Sequence, residues 1–313
     1  METDRAVNRT GCFVRPRGLQ PLDRVAVVAP AGPFDRESFD AGLRVIAERY
    51  RPVFAESLFA RTRYLAGDDA RRLDELNAAL ADDSIKAVFA ARGGYGSMRL
   101  LPKLRVAGLT PKPVIGFSDI TALHLALQSA GWISVYGPVT TQLGTQPREV
   151  VERLFHLLES TVSPTPALAG TPLVGGLADG PLVGGNLSVL TRLLGTPYLP
   201  TLEGAVLLLE DVGERPYRLD RMWTHLALAG VWEQVRGIVL GEFIDCEEPD
   251  ENDGSATVLA ALAAETGLPC VSGLPIGHGV VNAPVPLGCR VQLDGSAGTL
   301  AFLEAAVAPA DLA

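Results

Sequence analysis

A serine at residue 118 lies where it could act as a nucleophile. Ser118 is part of Gly116-Phe117-Ser118-Asp119, directly after the apolar run PVIGF at residues 113–117. A serine on a sharp turn from strand to helix exposes its hydroxyl above the sheet edge, and the next amide is then available to an oxyanion. Alternatively, Ser118 or Asp119 caps the following helix. This segment alone leaves both interpretations open.

His278 is the candidate general base for such a serine. It lies between Gly277 and Gly279 in a loop-like run, residues 274–286, and belongs to no apolar helical face. Packing therefore does not readily explain it, whereas proton transfer does. The other histidines have structural interpretations on helices: His124, His156 and His225.

A serine and a histidine need a third group that orients the imidazole and stabilises its cation. Glu210 ends the strongly apolar run AVLLLE at residues 205–210, and Asp211 is expected to point to the opposite face of that strand. Glu214 and Asp220 are alternatives in a segment that could equally form surface ion pairs with neighbouring arginines. Spacing does not choose among these carboxylates.

A glycine-rich turn follows the predicted strand at residues 86–91. It reads Arg92-Gly93-Gly94-Tyr95-Gly96-Ser97 and precedes a predicted apolar helix, Met98 to Leu101. Glycines let a backbone approach a ligand closely, and a helix N-terminus favours negative charge. A dinucleotide-binding turn is disfavoured, because the third glycine is missing and the turn does not follow the first strand. A purely structural turn remains the alternative.

The elements that must position these residues fall into two groups. Strands at 24–29, 86–91 and 113–117 alternate with helices at 38–49, 69–80 and 119–128, which predicts a doubly wound parallel sheet. Strands at 205–210, 235–244 and 289–294, with helices near 186–194, 217–229 and 255–266, predict a mixed α/β part that is richer in strands. The predicted division is an N-terminal arm at 1–20, a nucleophile domain at 21–145, a linker at 146–180 and a C-terminal domain at 181–313.

Composition excludes several classes of function. The chain of 313 residues has a formal charge of −9 without Lys/Arg blocks, so nucleic acid is not an expected partner. Cys12, Cys246, Cys270 and Cys289 are scattered and are predicted to be reduced, and the four histidines show no metal-binding spacing. No metal or other cofactor is expected. No apolar segment has the length of a signal peptide or a membrane span, so we expect a cytoplasmic protein without a membrane partner.

Five motifs in order resemble the LD-carboxypeptidase family of serine peptidases, which includes murein tetrapeptide carboxypeptidases and microcin C immunity peptidases. The likeness extends over residues 24–295. The motifs are ARGGYGSMRLLP, KPVIGFSDITALH, GGNLSVL at 184–190, LLEDVGERPYRLDRM, and PIGHG with a following PLG. One departure is Tyr136-Gly137-Pro138, where family members commonly have His-Gly-Pro.

The resemblance implies a role for each matched position. Ser118 corresponds to the nucleophile, Glu210 rather than Glu214 to the orienting acid, and His278 to the base. The backbone amides of Gly94 and Asp119 correspond to the oxyanion donors. It also implies a flavodoxin-like N-terminal domain carrying the serine, a C-terminal domain carrying acid and base, and a homodimer. We assign substrate binding to Arg92, Gly93 and Tyr95, with Arg92 binding the terminal carboxylate.

The expected reaction is release of the terminal D-alanine from a murein tetrapeptide, after diaminopimelate or lysine, in peptidoglycan recycling. One alternative is a microcin C immunity-type peptidase that acts on aminoacyl-nucleotide conjugates; the segment EDVGERPYRLDR favours the murein enzymes. An alternative of another class is a two-domain protein that closes on a small molecule without catalysis.

Overall fold

A computed structural model describes residues 13–162, 164–248 and 254–309. Most of the predicted N-terminal arm and Cys12 therefore lie outside the described residues. In chain order the strands are β1 (Arg24–Val28), β2 (Arg51–Val53), β3 (Ile85–Ala90), β4 (Val114–Gly116), β5 (Ser134–Tyr136), β6 (Leu168–Ala169), β7 (Thr171–Val174), β8 (Leu177–Asn186), β9 (Val206–Val212), β10 (Gly237–Ile244), β11 (Cys270–Ser272), β12 (Val285–Leu287), β13 (Arg290–Asp294) and β14 (Thr299–Phe302).

Eight helices accompany these strands in the described part of the chain. They are α1 (Arg36–Ala47), α2 (Asp69–Ala81), α3 (Thr121–Ser129), α4 (Thr140–Leu143), α5 (Arg148–Glu159), α6 (Leu187–Thr191), α7 (Pro216–Leu228) and α8 (Ser255–Thr266). Short 3-10 helices cover Glu56–Phe59, Ser97–Lys103 and Ser118–Ile120.

The first sheet has the order β12-β5-β4-β3-β1-β2. Strands β1 to β5 pair in parallel, and β12 adds an antiparallel edge beside β5. Alternate side chains of β1 enter two cores: Val25 and Val27 pack with α1 and α5, whereas Ala26 and Val28 pack with α2 and α3. Helices therefore cover both faces, and the predicted doubly wound parallel sheet is confirmed.

The second sheet is the strand-rich part of the molecule. Its order is β6-β14-β13-β8-β9-β10-β11-β7. The central strands β8 to β11 are parallel, and antiparallel strands flank them on both sides. This mixture of parallel and antiparallel strands confirms the predicted mixed α/β character.

The two sheets are joined by packing as well as by the chain. Helix α3 packs against β8 and α6, and Leu123 of α3 belongs to the same buried core as Leu208 of β9. The segment predicted as a linker, residues 146–180, contains α5, β6, β7 and the start of β8. The division into domains stays a prediction.

Local structure differs from expectation after the glycine turn. The predicted helix from Met98 to Leu101 is a 3-10 helix, Ser97–Lys103, with Pro102 inside it. Proline has no backbone N–H and disrupts the regular α-helical hydrogen bonds, which agrees with this tighter and shorter form. Within the residues that the structure describes, no helix combines the length and hydrophobicity needed to cross a bilayer.

Candidate active site

Ser118 occupies a sharp turn between β4 and α3. Its φ angle is +62°, a left-handed conformation that non-glycine residues adopt rarely. The alternative role of helix capping is not what the structure shows. Ile120 is the N-cap residue of α3, and no side chain caps this helix. The Asp119 carboxylate instead accepts a hydrogen bond from the Ser97 amide at 2.8 Å, and burial raises the pKa of Asp119.

The glycine-rich turn lies directly against this serine. A Cβ placed on Gly93 would lie 3.0 Å from the Cβ and 3.2 Å from the Oγ of Ser118, so glycine permits the close approach. Gly94 follows with φ +107°, and its amide has no hydrogen-bond partner in the described part of the chain. The turn thus has a backbone amide that is unpaired among the described residues, that of Gly94, directly after the glycine that contacts the serine side chain. An oxyanion site requires such an amide.

His278 is partly buried and forms a hydrogen-bonded pair with the fully buried Glu210. Nδ1 of His278 lies 2.7 Å from Oε2 of Glu210, whose side chain is fully buried on β9. Since a carboxylate accepts, Nδ1 carries a proton, and in the neutral imidazole the lone pair is then on Nε2. The imidazole lies on the ring of Phe117, the residue before Ser118, with ring centroids 4.7 Å apart.

Gly277 allows this pair to form. Its φ is +120°, a conformation that L side chains rarely adopt. A Cβ at Gly277 would also collide with the carboxylate of Glu210. Both backbone conformation and space therefore require glycine immediately before His278.

The other candidate acids have other partners. Asp211 is expected from the sequence to point to the opposite face of the strand, but its carboxylate accepts from Nδ2 of Asn186 at 3.0 Å, the same nitrogen that donates to Glu210. Asp211 also accepts from the Ser188 amide at 2.8 Å, and burial raises the pKa of Asp211 to about 6. Glu214 pairs with Arg218 at 3.4 Å, and the Asp220 carboxylate accepts from the Thr224 hydroxyl at 3.1 Å. Among the four predicted carboxylates, Glu210 is the one that contacts His278.

The His278 ring contacts Phe117, the residue immediately before Ser118. In the described chain no hydrogen bond joins the Ser118 hydroxyl to the imidazole. Catalytic hydrogen bonds are often long in unliganded enzymes and shorten once substrate is bound. The region around the Ser118 turn thus contains a candidate nucleophile, a candidate base that is hydrogen-bonded to an acid, and candidate oxyanion donors.

The remaining histidines have structural surroundings. His124 is fully buried, donates from Nε2 to the Gly116 carbonyl at 2.8 Å and accepts at Nδ1 from the Ser134 hydroxyl at 2.8 Å. Burial lowers the pKa of His124 to about 4, so it is neutral near pH 7. His156 is half-buried on α5, and His225 is exposed on α7.

Two residues that sequence reasoning did not select complete the surroundings of Glu210. The Tyr136 hydroxyl lies 2.6 Å from Oε1, and Nδ2 of Asn186 donates to the same oxygen at 3.2 Å. Together with His278 they offset the cost of burying this carboxylate. The signals were present, because Asn186 lies within the GGNLSVL motif and Tyr136 is the departure from His-Gly-Pro.

The substrate-binding candidates lie beside Gly94. A cavity of 520 Å³ is lined by Gly32, Pro33, Arg61, Tyr64, Arg92, Gly94 and Tyr95. Arg92 donates from its guanidinium to the Pro33 carbonyl, and the ring of Tyr95 meets that of Tyr64 edge to face at 5.7 Å. Gly93 contacts Ser118 rather than this cavity. Two arginines therefore line the same cavity as Gly94, whose amide is a candidate oxyanion donor.

A serine on a sharp turn, near a histidine that is hydrogen-bonded to a buried glutamate, is the arrangement of a serine hydrolase. Comparison with known proteins narrows this class. Models of the LD-carboxypeptidase N-terminal and C-terminal domains match residues 25–137 and 179–293. The chain belongs to the LD-carboxypeptidase family, and it is a serine-type peptidase.

Individual relatives agree with this assignment. A Synechocystis sp. protein is 42% identical over 297 residues, which are 93% of this chain and 98% of its own length. The murein tetrapeptide carboxypeptidase of Pseudomonas aeruginosa is 36% identical over 88% of this chain and 95% of its own length. The crystal structure of muramoyltetrapeptide carboxypeptidase from Oxalobacter formigenes superposes with a TM-score of 0.80 at 28% identity, covering 91% of this chain and 99% of that one.

Microcin C7 self immunity protein MccF has the same fold. Its wild-type structure superposes with a TM-score of 0.81, covering 94% of this chain and 100% of that one. The sequence identity is 21%. This similarity therefore concerns the fold alone.

Proposed function

We propose that this protein releases the terminal D-alanine of murein tetrapeptide by cutting the bond after diaminopimelate or lysine. The observation that carries the proposal is the 2.7 Å hydrogen bond from His278 to buried Glu210, with the imidazole lying on the residue before Ser118. The 36% identity to the murein tetrapeptide carboxypeptidase of P. aeruginosa supports this choice of substrate.

The reaction is acyl transfer through Ser118. Nε2 of His278 takes the proton of the Ser118 hydroxyl, and the oxygen attacks the carbonyl of the L-configured centre. The amides of Gly94 and Asp119 stabilise the developing oxyanion; one such donor is typically worth about 3 kcal/mol. The imidazolium then protonates the nitrogen of D-alanine, which leaves, and water hydrolyses the acyl-enzyme. Glu210 stabilises the imidazolium throughout.

The terminal carboxylate of the substrate binds in the cavity beside Gly94. Arg92, Arg61 and Gly94 all line this cavity. The protein carries a formal charge of −9, so an anionic group needs local cations for recognition. Placing the carboxylate here puts the scissile carbonyl near the Gly94 amide. Arg92 is the cation that we assign to it, with Gly93 and Tyr95 shaping the same turn.

Mass spectrometry of products from three substrates tests this function. The substrates are L-Ala-D-Glu-mDAP-D-Ala, the same peptide with a C-terminal amide, and an aminoacyl-sulfamoyl adenosine. We expect loss of one alanine from the first and little reaction with the second. Preferential cleavage of the third would support the microcin immunity-type alternative. Binding of the first without any product would support a ligand-binding protein.

The cytoplasmic location, the homodimer and the role in peptidoglycan recycling belong to the same proposal. The preference between lysine and diaminopimelate is decided by the same assay with both peptides.

A further inference from the structure

Tyr136 lies at the end of β5 and contacts both parts of the site. Its hydroxyl oxygen is 2.6 Å from Oε1 of Glu210 and 3.2 Å from the backbone nitrogen of Ser118. The side chain is fully buried, at 0% exposure. One phenol thus connects two parts of the site. These are the Ser118 turn, which follows β4 of the first sheet, and Glu210, which is on β9 of the second sheet.

The direction of both hydrogen bonds is fixed by the number of protons. A phenol has one proton to donate, and it can accept through its oxygen. The Ser118 amide is a donor, so the Tyr136 oxygen must accept from it. The phenolic proton is then given to the Glu210 carboxylate. Burial, reinforced by the charge of Glu210, raises the pKa of Tyr136 well above its ordinary value, so the phenol keeps this proton.

The ring of Tyr136 is held on several sides. A Cβ on Gly185 would lie 2.7 Å from its Cε2, so a glycine on β8 makes room for it. The rings of Phe117 and His124 lie 6.2 Å and 5.7 Å from it by centroid distance. A ring packed this closely has little freedom to move its hydroxyl away from Ser118 or Glu210.

We propose that Tyr136 is a positioning residue. Its hydroxyl fixes the position of the Ser118 turn relative to the Glu210–His278 pair. The inference rests on the proposed serine mechanism and deepens it. Ser118 has a left-handed φ of +62°, and the bond to its amide helps to keep that conformation. The bond to Oε1 leaves Oε2 aimed at His278.

Removing the hydroxyl should change the chemistry more than the fold. In Tyr136→Phe, the Ser118 amide and Oε1 of Glu210 each lose a partner, while the ring still fills its space. We expect kcat to fall about 10- to 100-fold, as for loss of a hydrogen bond to a charged group, with KM changed less than about 2-fold. When Glu210 loses the hydrogen bond from the phenol, its negative charge is less stabilised. The carboxylate then interacts more strongly with His278 and favours the imidazolium form. The acid limb of the pH profile of kcat/KM should therefore move to higher pH.

Tyr50→Phe is the matched control. The Tyr50 hydroxyl donates to Oε1 of Glu159 at 2.8 Å and is buried at 2% exposure, but it lies in the core on the α1 and α5 side of the sheet. Both variants lose one hydrogen bond from a buried phenol to a carboxylate. Only Tyr136→Phe should change kcat and the acid limb. Unchanged kinetics in Tyr136→Phe, or equal changes in both variants, would overturn the inference.

A measurement without substrate separates this inference from the proposed function. The Nδ1 proton of His278 should give a low-field proton NMR signal, identified by its loss in His278→Ala. Its chemical shift should change in Tyr136→Phe and stay unchanged in Tyr50→Phe. If murein tetrapeptide is not cleaved, the proposed function fails, yet this signal still reports on Tyr136. An unchanged signal in Tyr136→Phe would contradict the positioning role.

Discussion

Glu210 and His278 are joined by a 2.7 Å hydrogen bond although 68 residues separate them in the chain. Glu210 is on β9 in the second sheet, whereas His278 is in the loop between β11 and β12. β11 belongs to the second sheet, whereas β12 pairs with β5 in the first sheet. The loop that carries the histidine therefore passes from one sheet to the other. This path lets the imidazole contact the acid on one side and the Ser118 turn on the other.

Loss of the negative charge on Glu210 should abolish most activity. Glu210→Gln keeps the shape of the side chain, but its amide can favour the wrong tautomer of His278. We expect kcat to fall by about 10³- to 10⁴-fold, measured as D-alanine release. Asp220→Asn removes a carboxylate charge on the surface of α7 and should leave kcat nearly unchanged. Equal effects of the two substitutions would argue against an orienting role of Glu210.

Gly277 should tolerate no side chain. In Gly277→Ala the new methyl group would collide with the Glu210 carboxylate, and φ +120° is itself unfavourable for alanine. We expect a loss of about 1–3 kcal/mol in stability together with a loss of activity. Gly273→Ala is the control, since Gly273 also has a positive φ, +68°, but nothing lies within 4 Å of its added Cβ. Thermal melting and D-alanine release measure both effects. Full activity in Gly277→Ala would contradict the observed packing.

Much of the fold is predictable because its signals are local. The apolar runs at β1, β3 and β4 and the turn residues after them are enough to predict a parallel sheet with Ser118 at a strand end. The identity of the acid is not local. Glu210 lies beside Asn186 in the register of β8 and β9, and its other partners come from β5 and from a loop. No spacing in the sequence distinguishes it from Asp211 or Glu214.

The role of Tyr136 is likewise not predictable from local sequence. Its place at the end of a buried strand follows from the sequence, but its function depends on contacts with Ser118 and Glu210, which are 18 and 74 residues away. The family resemblance marked this position only as a departure from His-Gly-Pro. Only the folded chain shows that the hydroxyl bridges two elements of the site.

His124 should make the protein less stable in acid. Burial lowers the pKa of His124 to about 4 from an ordinary value of 6.5, so the unfolded state binds more protons between these values. Its contribution is fully present above pH 6.5 and is lost as pH falls towards 4. At about pH 4 the free energy of unfolding should be lower by about 3 kcal/mol because of this histidine. Urea unfolding across this range should show a weaker pH dependence in His124→Asn, and the wild-type dependence in His225→Asn. The same dependence in both would contradict a buried neutral His124.

Cleavage of L-Ala-D-Glu-mDAP-D-Ala by the wild-type protein and by Ser118→Ala, followed by mass spectrometry, tests the nucleophile most directly. The wild-type protein should remove one alanine, shown to be the D-enantiomer by chiral analysis. Ser118→Ala should leave the tetrapeptide intact while keeping the circular dichroism and melting behaviour of a folded protein. Near-normal release of D-alanine by Ser118→Ala would show that the reaction does not pass through this serine.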